Sequence, residues 1–155
     1  MYCTPLDLIA HANRARLVGQ LAGSDFAALP DAQAVLDYFA TGQAATGFEE
    51  ALQALQGRVA QAIALAGGDI KGYLALVPDI ILPQETLHAA CMDMALYRLF
   101  EHLPDESVIK QLNDARHAFF DRLITGKAVV NRESGGSAQT AAPDSVFTAE
   151  TLEAW

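Results

Sequence analysis

The sequence predicts an all-α fold, a small helical bundle built on a long helical hairpin plus a C-terminal helix, with an extended C-terminal tail. Hydrophobic residues make up 52% of the 155 residues and aromatic residues only 8%. Alanine is abundant and β-branched residues are few, a composition that favours helix over strand. Apolar residues also recur in steps of three or four over long stretches, and prolines separate those stretches.

The first 45 residues predict short helices. Thr4-Pro5-Leu6-Asp7 combines an N-cap, a proline at the first helical position and an acidic residue at the third. A helix is therefore expected to begin at this motif and to fade near residues 13–16, while its apolar face continues until Gly23-Ser24-Asp25. A further helix is expected between Pro30 and the glycine at Gly42.

The longest apolar stripe predicts one helix from about Phe48 to Leu76. A second capping box, Thr46-Gly47-Phe48-Glu49, precedes it. The stripe keeps its phase across Gly67-Gly68, so this pair is expected to weaken the helix by about 1–2 kcal/mol without ending it. The apolar members of the stripe include Phe48, Leu52, Leu55, Val59, Ile63, Ala66 and Ile70.

Two more helices complete the predicted bundle. Pro78 and Pro83 exclude a continuous helix between them. The segment Gln84–His102 is apolar nearly all round, which is typical of a helix covered on several sides. A last helix over Val108–Ile124 is expected to be capped by Asp105 and to pack across the hairpin. The side chains expected to be buried are Leu55, Val59, Ile63, Leu87, Cys91, Met94, Leu112 and Phe119.

Charge and cysteine content exclude several classes of protein. The formal net charge is −9, and no segment clusters the lysines and arginines that tight nucleic-acid binding requires. An acidic surface would instead let DNA pass without sticking.

No apolar run reaches 18 residues and no export signal opens the chain, so no membrane span is expected. Cys3 and Cys91 form no recognisable framework, which favours a reduced, cytoplasmic setting.

The sequence offers no clear chemistry. His88 and Cys91 lie one helical turn apart, but two ligands do not make a metal site. Asp93 and Arg98 stand five positions apart in the most apolar helix and so point to different sides. Each is expected to meet a neighbouring helix or, as the alternative, another subunit. The available partners for these two residues are Arg58, Asp69 and Lys71. We expect no cofactor, no metal and no enzymatic activity.

Four short motifs are spread over most of the chain. It opens with Tyr2-Cys3-Thr4-Pro5-Leu6-Asp7-Leu8, and the predicted hairpin carries Asp69-Ile70-Lys71-Gly72-Tyr73-Leu74 and Cys91-Met92-Asp93-Met94-Ala95-Leu96-Tyr97-Arg98-Leu99. It closes with Val146-Phe147-Thr148-Ala149-Glu150-Thr151-Leu152. In this order the motifs resemble those of the head-tail adaptor family of Mu-like tailed phages and prophages. The motif residues singled out as structural are Asp69, Tyr73, Leu74, Cys91, Asp93, Tyr97 and Arg98.

The resemblance implies a structural protein of the phage neck. The chain looks like the adaptors that dock as a ring beneath the portal, extend the DNA channel and contact the next neck or tail-completion protein. The implied partners are further copies of the chain, the portal protein and that next protein. Double-stranded DNA would pass through without specific binding, and no membrane would be involved. The implied location is the virion neck, and the host cytoplasm during assembly.

Two other functional classes stay open. A small acidic helical binding or regulatory module could sequester a basic partner, and it would form a discrete complex without self-assembly. An enzyme accessory to packaging, such as a nuclease or hydrolase, would need catalytic residues that the sequence does not suggest. Light scattering of the protein alone and with the portal protein of the same genome separates these classes.

The tail has a different composition from the helical part. We divide the chain into a helical adaptor domain, residues 1–130, and a flexible linker with an apolar docking segment, residues 131–155. The linker is rich in serine, glycine, alanine and threonine and has no apolar period. The docking segment is expected to anchor on its own domain or on a neighbouring subunit. Its anchor residues are Val146, Phe147, Leu152 and Trp155.

Overall fold

The computed structural model describes residues 2–21, 26–100 and 103–126. All regular structure in these ranges is helical, so the predicted all-α class is confirmed. The helices are α1 (Pro5–His11), α2 (Arg14–Leu21), α3 (Ala32–Thr41), α4 (Glu49–Leu76), α5 (Gln84–Leu99) and α6 (Val108–Ile124). The predicted linker lies outside the described residues, and so do the anchor residues Val146, Phe147, Leu152 and Trp155.

Helices α4 and α5 form the long hairpin that the sequence predicted. α4 has 28 residues, a length of about 42 Å, and it is continuous across Gly67 and Gly68. The connection at residues 77–83 is not helical, because its prolines cannot continue the α4 hydrogen-bond pattern. α6 packs mainly on α5. α1 packs mainly on α3 and also contacts α4 and α5. No described helix is both long and apolar enough to cross a membrane.

Two of the predicted helix starts are confirmed in atomic detail. The backbone N–H of Asp7 donates to Thr4 Oγ1 at 3.2 Å, and the backbone N–H of Thr4 donates to the Asp7 carboxylate at 2.9 Å. The Thr4 hydroxyl also donates to the Asp7 carboxylate at 2.6 Å, and this bond together with the Thr4 backbone N–H holds the pKa of Asp7 below its usual value. At α3, the Asp31 carboxylate accepts from two backbone N–H groups, and Gly42 ends the helix with a φ of 75°.

Other helix ends differ from the prediction. The first helix ends at His11, and α2 begins separately because the Asn13 side chain accepts from the backbone N–H of Arg16. The second predicted capping box does not form: the Glu49 carboxylate accepts from the backbone N–H of Gly47, and no side chain caps α4. Asp105 does not cap α6 either, because its carboxylate binds Lys110 at 2.6 Å and Ser107 occupies the cap position.

The hydrophobic core was predicted correctly on α4 and α5 and wrongly on α6. The expected core residues of the hairpin are all buried. Leu112, however, is 41% exposed, and Phe119 is only partly buried. Phe120 and Leu123 take their place at 1% and 2% exposure. α6 thus turns Phe120 rather than Phe119 towards the hairpin, while Leu112, near its N-terminal end, contacts water.

This orientation makes a testable prediction about stability. Phe120→Ala is expected to lower the free energy of unfolding by about 3–5 kcal/mol, because it opens a cavity in the core. Leu112→Ala removes a side chain that already contacts water, so its cost is expected to be at most about 1 kcal/mol. Urea unfolding of both variants measures the difference. A larger loss for Leu112→Ala than for Phe120→Ala would contradict the observed orientation of α6.

Candidate functional site

The motif residues on α4 and α5 meet in an ion pair. The guanidinium of Arg98 on α5 donates to the carboxylate of Asp69 on α4. Both side chains are about one third exposed, so water screens this pair in part. Asp69 is one of the partners that the sequence offered for Arg98. The pair therefore joins the two arms of the hairpin.

A second ion pair joins α5 to α6. Nε of Arg116 donates to Oδ2 of Asp93 at 2.7 Å, and the Asp93 side chain is only 16% exposed. Asp93 and Arg98 thus face different neighbouring helices, as their spacing predicted. The partner of Asp93 was missed, because the sequence argument considered Arg58, Asp69 and Lys71 as partners and no residue of α6.

Tyr73 joins α4 to α6. Its ring stacks on Phe120 with 5.0 Å between centroids and 8° between the planes. Its hydroxyl shares a hydrogen bond of 2.8 Å with Nδ1 of His117, and burial raises the pKa of Tyr73. Leu74 and Tyr97, the other motif residues of these segments, are partly buried. These motif residues therefore hold three helices in register, which is a structural role.

The two cysteines come together although the sequence gave no reason to connect them. Cys91 is fully buried on α5, and its Sγ lies 2.9 Å from Sγ of Cys3. His88 does not share a metal site with Cys91, since its Nδ1 hydrogen-bonds to the backbone oxygen of Tyr2 at 2.9 Å. Across the described ranges, no group of three or more potential ligands could hold a metal ion.

Among the described residues, the two most exposed groups of apolar side chains lie at the turn of the hairpin and on α6. Leu76 and Ile81, at the turn of the hairpin, are 67% and 88% exposed, and we call them the tip surface. The α6 face consists of Val108 at 67%, Leu112 at 41% and the exposed Ala115. The sequence argument found neither surface, because it assigned Leu112 to the core and treated the turn only as a connection.

The two surfaces lie apart on the bundle. Tyr73, near the end of α4, contacts Phe120, and Asp93, in the middle of α5, contacts Arg116, so α6 approaches the turn with its C-terminal half. Val108 precedes Arg116 by eight residues, about 12 Å along the axis of α6, on the side away from Phe120. The helical bundle therefore presents two distinct apolar surfaces.

Comparison with known proteins identifies the family. The family model described as bacteriophage Mu, Gp36 matches residues 2–149, nearly the whole chain. The chain belongs to the bacteriophage Mu Gp36 family. No curated protein and no solved structure matches it. The resemblance to Mu-like phage proteins is thus confirmed, and this Gp36 family member is a phage structural or assembly protein.

The ion pair between α5 and α6 gives a prediction for the Gp36 family member. Asp93→Ala leaves Arg116 without its partner in a partly buried position, and we expect a loss of about 1–3 kcal/mol in the free energy of unfolding. Asp105→Ala is the matched control, since it breaks the Lys110 pair of a carboxylate that is 89% exposed, and it should change nothing measurable. Thermal and urea unfolding compare the two.

A double-mutant cycle completes that experiment. If Asp93 acts through Arg116, then Arg116→Ala in the Asp93→Ala background should cost much less than it does alone. Additive losses, or equal losses for Asp93→Ala and Asp105→Ala, would show that the pair does not stabilise the contact between α5 and α6.

Proposed function

We propose that this Gp36 family member is a head-tail adaptor. Copies of the chain form a ring beneath the portal, extend the DNA channel and join the head to the next neck or tail-completion protein. The role is assembly and requires no catalysis. The observation that supports it best is the presence of two separate apolar surfaces on one helical bundle. A head-to-tail ring needs two different patches on every subunit.

The charge of the chain favours the α6 face as a contact between copies. At a formal net charge of −9, copies repel one another, so they associate best through patches without carboxylates. The α6 face is such a patch, because helical spacing places Asp114 and Asp121 on another side of α6. In the proposed ring, the tip surface of one subunit packs on the α6 face of the next.

The same charge suits a channel that conducts DNA. Acidic side chains on a channel wall repel phosphates and leave no basic cluster for tight binding. Double-stranded DNA therefore passes through the proposed ring without specific contacts. The ring belongs to the virion neck and assembles in the host cytoplasm.

Light scattering coupled to size-exclusion chromatography tests the proposed function. We expect the protein alone to be monomeric or weakly associated at micromolar concentration, and to form a closed ring with the portal protein encoded by the same genome. A tight twofold dimer in dilute solution would contradict a head-to-tail ring. A discrete complex with a basic partner, without self-association, would instead support a sequestering module.

Charged substitutions on the two surfaces test the proposed contact. Ile81→Asp and Leu112→Asp should each abolish ring formation, because each places a carboxylate in an apolar interface. Both side chains are exposed, so circular dichroism should show unchanged folding. Gln84→Asp, at the start of α5, and Ala118→Asp, on another side of α6, add the same charge at exposed positions near the two surfaces, and they should assemble normally.

Mixing the two defective variants makes the test sharper. Ile81→Asp keeps an intact α6 face and Leu112→Asp keeps an intact tip surface, so the pair can form one contact. At a concentration high enough for the unaltered protein alone to associate, a head-to-tail interface therefore predicts a heterodimer in the mixture and no ring. Rings formed by either single variant, or a mixture that stays monomeric at that concentration, would rule out the proposed contact between tip surface and α6 face.

A further inference from the structure

The two cysteines are far apart in the sequence but in contact in the fold. Cys3 precedes α1 and Cys91 lies within α5, 88 positions later, yet their sulfur atoms are 2.9 Å apart. Both side chains are buried, at 3% and 0% exposure. Two thiols in direct contact, each shielded from solvent, have the pairing that a disulfide bond requires.

Neighbouring contacts fix this arrangement. The backbone oxygen of Tyr2 accepts a hydrogen bond from the ring of His88, one turn before Cys91 on α5. The ring of Tyr2 lies over Gly67 on α4, where an added Cβ would be 3.8 Å from its Cδ2 atom. Tyr2 thus contacts both α4 and α5, and these contacts hold Cys3 against Cys91.

We propose that Cys3 and Cys91 form a redox modification site in which a low-molecular-weight disulfide, such as oxidised glutathione, converts the two thiols into an intramolecular disulfide bond. The bond fastens the N-terminal segment to α5. The inference does not depend on the proposed ring, because it concerns one isolated chain.

The reaction proceeds by two thiol–disulfide exchanges. The segment that carries Cys3 precedes α1 and has no helical hydrogen bonds of its own, so it opens locally more easily than α5. When it opens, the Cys3 thiolate attacks one sulfur of oxidised glutathione and expels the first glutathione thiolate. The Cys91 thiolate then attacks the Cys3 sulfur of this mixed disulfide and expels the second. Two protein thiols are oxidised, one glutathione disulfide is reduced to two thiols, and the two protons pass to the leaving thiolates.

The environment of the pair sets the conditions for that reaction. The hydrogen bond with Cys91, together with burial, raises the pKa of the Cys3 thiol. The thiolate is the reactive form, so the closed segment keeps Cys3 protonated and unreactive, and oxidation waits for local opening and is best followed under mildly alkaline conditions. Once formed, the bond restrains the unfolded chain over a loop of 88 positions, and long loops give the larger stabilisation.

The test uses the full-length protein, fully reduced and then incubated with oxidised glutathione. Intact mass should fall by two hydrogen atoms without any adduct, and denatured protein should no longer react with a thiol reagent. Tm should rise by about 5–10 °C, and dithiothreitol should reverse both changes. This comparison needs no variant, so it is independent of any folding defect.

Two variants identify the residues. Cys91→Ala should accumulate a glutathione adduct on Cys3, because no second thiol resolves it. Cys3→Ser should acquire neither an adduct nor a Tm increase, since Cys91 alone is buried inside α5. The proposal is overturned if the natural protein keeps both thiols, if it stops at the glutathione adduct, or if the disulfide forms and Tm fails to rise.

Discussion

The fold depends on the need to surround α5. This helix is apolar on nearly every side, and its buried residues face α1, α4 and α6 rather than a single neighbour. A helix of this kind loses most of its stabilisation if any one side is left to water. α1, α4 and α6 therefore pack around α5. Asp93 and Arg98 are tolerated on α5 because each is paired with an opposite charge from a different helix.

The hairpin could be predicted because its signals are local. A long stripe in steps of three and four gives α4, and two prolines give the turn. α6 was predicted in extent but not in orientation. Its apolar residues spread over a wide arc that includes both Leu112 and Phe120, and only contact with the hairpin decides which of them are buried. Periodicity reports that a helix has an apolar side, and it does not fix which residues of that side reach the core.

Contacts between distant segments were beyond sequence reasoning for a different reason. The meeting of Cys3 with Cys91, and of Asp93 with Arg116, depends on how helices are placed in three dimensions, and no local pattern encodes that placement. The partner of Arg98 was among those anticipated, because charged residues inside an apolar bundle have few possible partners. The exposed turn was also missed, since Ile80, Ile81 and Leu82 look alike in sequence although only Ile81 is fully open to water.

The seating of the N-terminal segment has a consequence for how the chain folds as it is synthesised. α1 leaves the ribosome well before α4 and α5, with which it packs. The hairpin, by contrast, closes over a turn of only seven residues and can form as soon as α5 emerges. Folding therefore does not follow the order of synthesis. α1 has to wait for these contacts until the hairpin at the centre of the molecule exists.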